Sequence, residues 1–202
     1  MFLETVFQNP VLFFRIILVL IVSITLHELA HGWAAIGQGD DTPQKEGHIT
    51  LNPVVHLGVP SLIFLCIAGI AWGQMPVDPR NFRHPKWSNV IVSAAGPLMN
   101  LAIALFCVVL LKLSDETFLR QVLSSQFLYI AALYNLVLML FNFLPIPPLD
   151  GFHVASEFFP SLKPLQGSPW GYAILMILFI SPVFGRSLWI ASDWVLRSLL
   201  GI

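Results

Sequence analysis

The sequence is poor in charge. Only 10% of its 202 residues are Asp, Glu, Lys or Arg, and the net charge is −1, whereas soluble domains carry about 25% charged residues. No block of Lys and Arg is present, which excludes a nucleic-acid surface and a basic tail for lipid headgroups. Cysteine is scarce as well. Cys66 and Cys107 each lie in an apolar run and read as packing residues rather than a disulfide. Internal repeats and low-complexity tracts are lacking, and no stretch has the composition of an appended soluble domain. Residues 1–202 are therefore expected to form a single membrane-embedded domain. What the chain has in abundance is apolar length. It is 56% hydrophobic, with mean hydropathy +0.79, the composition of a multi-pass membrane protein lying in the lipid bilayer.

Apolar runs at about 11–36, 87–111 and 126–144 are long enough to span a bilayer, and 172–184 spans or nearly does. Residues 187–200 carry Asp193 and Arg197 at i,i+4 and read as a surface helix or a last span. The 57–72 run is short and interrupted by Gly58, Pro60 and Gly69. Residues 47–56 and 74–82 read as short extended pieces at the membrane boundary, and 112–125 as a polar connection. The expected fold is all-α, with about four to five spanning helices, a re-entrant or interfacial segment and short membrane-boundary β-strands.

Inside the first apolar run stands His27-Glu28-Leu29-Ala30-His31. A charge at mid-bilayer costs roughly 2.5–3.5 kcal/mol, so three ionisable side chains there need a compensating partner. On a helix, residues four apart share a face one turn apart, so His27 and His31 can hold one zinc ion while Glu28 reaches a water on it. Catalytic zinc takes three protein ligands and leaves a position open. Asp150 is the best third candidate: it follows an Asn135/Asn142 helix face, sits after the prolines of Pro145-Ile-Pro-Pro-Leu, and precedes Gly151. Its alternative role is the N-cap of a short helix at 152–159. His56, His153 and Asp78 are weaker ligand alternatives. Asn100, in the 87–111 run, reads as an interhelical hydrogen bond.

His27–His31, Ala95-Gly96-Pro97 and the run Asn142 to Gly151 together resemble the site-2 protease family. Residues Gly47–His56 with Pro76–Phe82 resemble its small bacterial-type branch. The resemblance covers roughly residues 20–155. It implies an intramembrane zinc endopeptidase, with one Zn2+ on His27, His31 and Asp150 and Glu28 as catalytic base. Its substrates would be transmembrane segments of other membrane proteins, cut within or at the membrane edge as in regulated intramembrane proteolysis. In that branch the Asn52-Pro53-x-x-His56 element continues to an Asp, where this chain has Gly58. His56 is carried as an accessory residue, and Asn142 as a group for the substrate backbone or the oxyanion. The rival readings are a zinc-binding transporter and a catalytically inactive zinc scaffold, because intramembrane His and Asp also mark ion pathways.

Parity constrains the topology. If 57–72 crossed the membrane, Asp150 would emerge on the side opposite His31, so 57–72 is expected to enter and leave on one side. Lys45, Arg80, Arg83 and Lys86 then share the active side, with Lys112 and Arg120 opposite. That distribution places the active side toward the cytoplasm, in the cell membrane.

Overall fold

A computed structural model describes residues 4–113 and 124–202. A short α1 (Glu4–Gln8) leads into α2 (Pro10–Gly37), whose start is fixed by Pro10 in the first turn and by the Asn9 side chain accepting from the Leu12 N–H at 3.0 Å. Apart from the His27–His31 stretch, α2 has apolar side chains on every face, as a helix that is long and apolar enough to cross a membrane does. After a single turn, α3 (Thr42–Lys45), comes α4 (Pro53–Ala68), and later α5 (Pro85–Leu113) and α6 (Ser125–Asn142). Of the described helices, α2, α5 and α6 are long and apolar enough to cross a membrane. They pack on one another around Ile16, Leu20, Ala104, Val108, Leu133 and Leu136.

The chain ends in α7 (Asp150–Phe158), α8 (Pro169–Ile180) and α9 (Pro182–Leu200). α8 and α9 meet at 77° across Ser181 and count as at most one broken span. The described residues thus hold three candidate spans, or four with the broken pair, the lower end of the expected four to five. The physical reason for the break is Pro182, which has no N–H to continue α8 and instead starts α9 behind a Ser181 cap. α9 packs on α6, with Leu196 buried and Asp193 receiving the Tyr129 hydroxyl. Arg15 donates to Gln126 at 2.7 Å, marking the same end of the bundle. The opposite end gathers Gly37, Pro85 and Asn142.

Membrane-boundary β-strands are not found among the described residues. An extended piece is expected at 47–56, stopped by Pro53. Instead the Asn52 carboxamide accepts from the Val54 N–H at 3.0 Å with Pro53 in the first turn, so the pair starts a helix. Residues 70–78 run without regular structure and with no strand beside them. The 57–72 segment does return to where it began. The Gln74 N–H donates to the His56 carbonyl at 2.9 Å, and the Ser61 hydroxyl bridges the N–H and C=O of Trp72. Gly58 breaks α4 at φ 69°, a left-handed value that suits a residue without a side chain. Most of the 112–125 connection, including Arg120, lies outside the described residues.

Candidate metal centre

Helix periodicity brings His27 and His31 to one face of α2, where their Nε2 atoms lie 3.1 Å apart. Asp150, the first residue of α7, meets both: Oδ2 is 3.1 Å from His27 Nε2 and Oδ1 is 3.4 Å from His31 Nε2. Leu149, not Asp150, occupies the cap position, so the carboxylate is free to face the histidines. A backbone turn of prolines carries it there, with a cis bond between Pro147 and Pro148.

Hydrogen bonds on the far side of each ring decide what the Nε2 atoms can do. The Ala131 carbonyl can only accept, so the Asn135 amide nitrogen faces it at 2.8 Å and also reaches Ser23 Oγ. Asn135 Oδ1 then accepts from Asn100 Nδ2 at 3.0 Å, which turns Asn100 Oδ1 toward His27 Nδ1 at 2.6 Å. The Val92 carbonyl lies 2.7 Å from His31 Nδ1. Both Nδ1 atoms therefore carry hydrogen, and in the neutral rings both Nε2 atoms present lone pairs. Two lone pairs and a carboxylate converge, and buried Asp150 Oδ2 has no hydrogen-bond partner. Donors of this kind, in this number, fit a divalent metal of the zinc type, and the second-layer hydrogen bonds are those that orient metal-bound histidines.

Two glycines shape the space. A Cβ on Gly96 would run into Nε2 of both His27 and His31, and one on Gly73 would run into the Glu28 carboxylate. The small residues Ser93, Ala94, Ala95 and Gly96 suit the close approach of a neighbouring helix. What comes close is the pair of imidazoles. Gly73 gave no signal at all, since its contact depends on where residues 70–78 return. Asn100 does make the expected interhelical bond, to Asn135, but its larger part is the hold on His27.

Glu28 is buried on the next position of α2 and lines, with the three donors, a cavity of about 1020 Å3. Asn142 and His153 line the same cavity. One N–H of Asn142 rests on the Leu138 carbonyl at 3.0 Å. His56 lies apart from the cluster, its Nε2 2.7 Å from the Thr50 carbonyl. Asp78 is outside the cluster as well, paired with Arg80.

Residues 70–78 cross the cavity as a strap that is pinned at its end by Asp40. That side chain is fully buried and accepts from the Asp78 N–H at 2.8 Å, Asn81 Nδ2 at 3.0 Å and the Thr42 N–H at 3.1 Å. Burial pushes the Asp40 carboxyl up, but the donors from Asn81, Thr42 and Asp78 outweigh it and hold it below the usual carboxylate range.

Residues 15–122 and 117–181 match peptidase family M50. A Bacillus subtilis relative named "Putative zinc metalloprotease YwhC" is 38% identical over 183 residues, covering 86% of this chain and 84% of that protein. One from Mycolicibacterium smegmatis, "Putative zinc metalloprotease Rip2", is 30% identical over 181 residues, covering 82% and 66%. "Zinc metalloprotease MJ0392" of Methanocaldococcus jannaschii is 24% identical over 184 residues, covering 91% and 43%. No solved structure gives a significant match.

Proposed function

The chain belongs to peptidase family M50 and is a zinc metalloprotease, and from that premise we propose that it cuts transmembrane segments of other membrane proteins from within the bilayer. The observation that carries the reading is the position of the donors. His27, His31 and Asp150 meet beside Glu28 in a largely apolar cavity at one end of a membrane-grade helix. A soluble peptide has no reason to enter a cavity walled by lipid-facing helices. A transmembrane segment loses little by doing so.

In this reading His27, His31 and Asp150 hold the zinc and Glu28 is the catalytic base. Zinc supplies Lewis acidity, drawing the pKa of a water down toward 7 and polarising the scissile carbonyl. Glu28 takes the proton of the attacking water as its oxygen bonds to the carbonyl carbon. It returns that proton to the amide nitrogen as the C–N bond breaks. Asn100 and the Val92 carbonyl hold the two imidazoles in the tautomer that leaves Nε2 free. Asn142 has an N–H left over for the substrate backbone or the developing oxyanion. A helical substrate hides its carbonyls, so it unwinds locally before the cut. The described helices and the strap act as one membrane-embedded catalytic domain.

The active end faces the cytoplasm of the cell membrane in this proposal. Lys45, Arg80, Arg83 and Lys86 lie on that side. Cysteines introduced at positions 41 and 83 are expected to label from the same side, and opposite accessibilities would sink the topology. The deciding experiment for function is zinc-dependent cleavage of single-pass proteins in detergent. Wild type is expected to cut and Glu28→Gln to bind zinc without cutting. Zinc flux in proteoliposomes with no peptide product would establish the transporter reading instead.

A further inference from the structure

Toward the opposite end of the bundle, the cavity at the His27 cluster continues into a smaller pocket of about 200 Å3, and the two share Ile24, Ile70, Ala71, Leu138, Phe141 and Phe179. Its wall comes from α2, the turn at 69–71, α6, α8 and the first turns of α9, and among the described residues Tyr134 supplies its only polar side chain. Nothing in the hydrolytic chemistry uses this space. An apolar cavity of roughly 150 Å3 admits a benzene ring, so a pocket of this size takes one large apolar side chain.

We propose that this pocket is a specificity subsite that receives a large apolar side chain, Leu or Phe, of the transmembrane substrate on the bilayer side of the scissile bond. The inference rests on the protease reading above. Register sets which substrate residue it serves. Ile24 and Leu20 of the pocket precede His27 by three and seven residues, about 4.5 and 10.5 Å along α2. An unwound substrate advances about 3.3 Å per residue, so the occupant is the second or third residue from the cut. Continuity with the cavity lets the backbone stay at the metal while the side chain drops into the pocket.

The pocket can be filled or enlarged from α9. Gly185 lines the pocket and a Cβ there would meet nothing within 4 Å, so a larger residue can be placed at the pocket's edge without displacing backbone. Leu188, one turn on, forms another part of the wall. The test uses zinc-loaded full-length protein and single-pass substrates with Phe, Leu or Ala at the second and third residues on the bilayer side. Relative kcat/KM is read from mass-resolved products. Wild type is expected to prefer Leu or Phe over Ala by about tenfold or more, the discrimination an apolar pocket gives. Gly185→Leu should bring that ratio close to one, and Leu188→Ala should shift preference from Leu toward Phe. A wild-type ratio near one overturns the subsite, as does a Gly185→Leu that lowers every substrate by one factor. Tightly held phospholipid displaced by Gly185→Leu, with no change in the ratio, would assign the pocket to an acyl chain and overturn it too. If wild type cuts none of the set and matches Glu28→Gln, the protease reading falls, and the subsite falls with it.

Discussion

The wall of the cavity built by α2, α5 and α6 and the wall built by α8 and the strap are unlike in how they are held. In the first, His27 leads through Asn100 and Asn135 to Ser23, and every link is a buried hydrogen bond between helices. In the second, α8 is anchored where Gly171 packs on Pro147 and where Phe179 meets Phe141, while Trp170, Tyr172, Met176 and Ile177 stay exposed. The strap is tied through Trp72 and Gln74 and, at Asp78, to Asp40. The candidate donors on α2 thus rest on buried interhelical hydrogen bonds, whereas α8 and the strap are held by fewer, more exposed contacts, the kind expected to open locally first. The function proposed above, holding metal geometry while admitting a helix from the side, would use both.

Experiments can break or sharpen this division. The largest effect is expected from Glu28→Gln on the rigid wall, a loss of about 10²–10⁴-fold in cleavage rate with zinc content unchanged. If zinc is lost as well, Glu28 is a ligand and its assignment as base fails. Next comes Gly96→Ala, whose methyl group would overlap both metal-facing nitrogens. Metal analysis should find little zinc bound, and full occupancy would show that α5 can retreat and that the wall is not rigid. Asn100→Ala should weaken zinc binding about 10–100-fold by freeing the His27 ring. An affinity equal to wild type in a zinc competition titration would remove Asn100 from the site.

On the yielding wall, Asp40→Ala should leave zinc affinity alone and cost about 1–3 kcal/mol of local stability at the strap, because buried donors lose their acceptor. Hydrogen exchange at the Asp78 amide reads it directly. Since the Asp40 carboxyl is held below its ordinary value, its contribution is whole above about pH 4 and fades as pH falls through the lowered value. The wild-type amide should lose protection in acid, and the Asp40→Ala amide should show no such step. The smallest effect is expected from exposed Trp170→Ala, within about 0.5 kcal/mol in thermal unfolding. A larger change would mean that α8 is packed more firmly than its contacts indicate.

Much of the site could be read from the chain because its spacing is local. His27 and His31 declare themselves by a one-turn interval inside an apolar run, and Asp150 by a proline break that ends an Asn-bearing helix. That residues 57–72 leave and return on one side is expected from counting crossings, and the Gln74 N–H on the His56 carbonyl agrees with it. Other features depended on which segments meet, and periodicity does not report that. Gly96 faces imidazoles from another helix, and Gly73 faces a carboxylate 45 residues away along the chain. The expected strand at 47–56 failed for a local reason. Asn-Pro serves helix starts as readily as strand stops, and only the carboxamide on the Val54 N–H distinguishes them.

The glycines of the cavity also imply a pattern for a saturation library scored twice, once for protein abundance and once for cleavage. A Cβ on Gly151 would strike the Phe143 backbone, which cannot move aside, so substitutions there should be depleted in both scores. The atoms nearest a Cβ on Gly73 are Cγ, Cδ and Oε1 of the Glu28 side chain, not backbone. Variants at 73 should therefore accumulate normally and still vanish from the cleavage score. Residue 73 would then be grouped with the acid and base chemistry, although glycine has no functional group of its own.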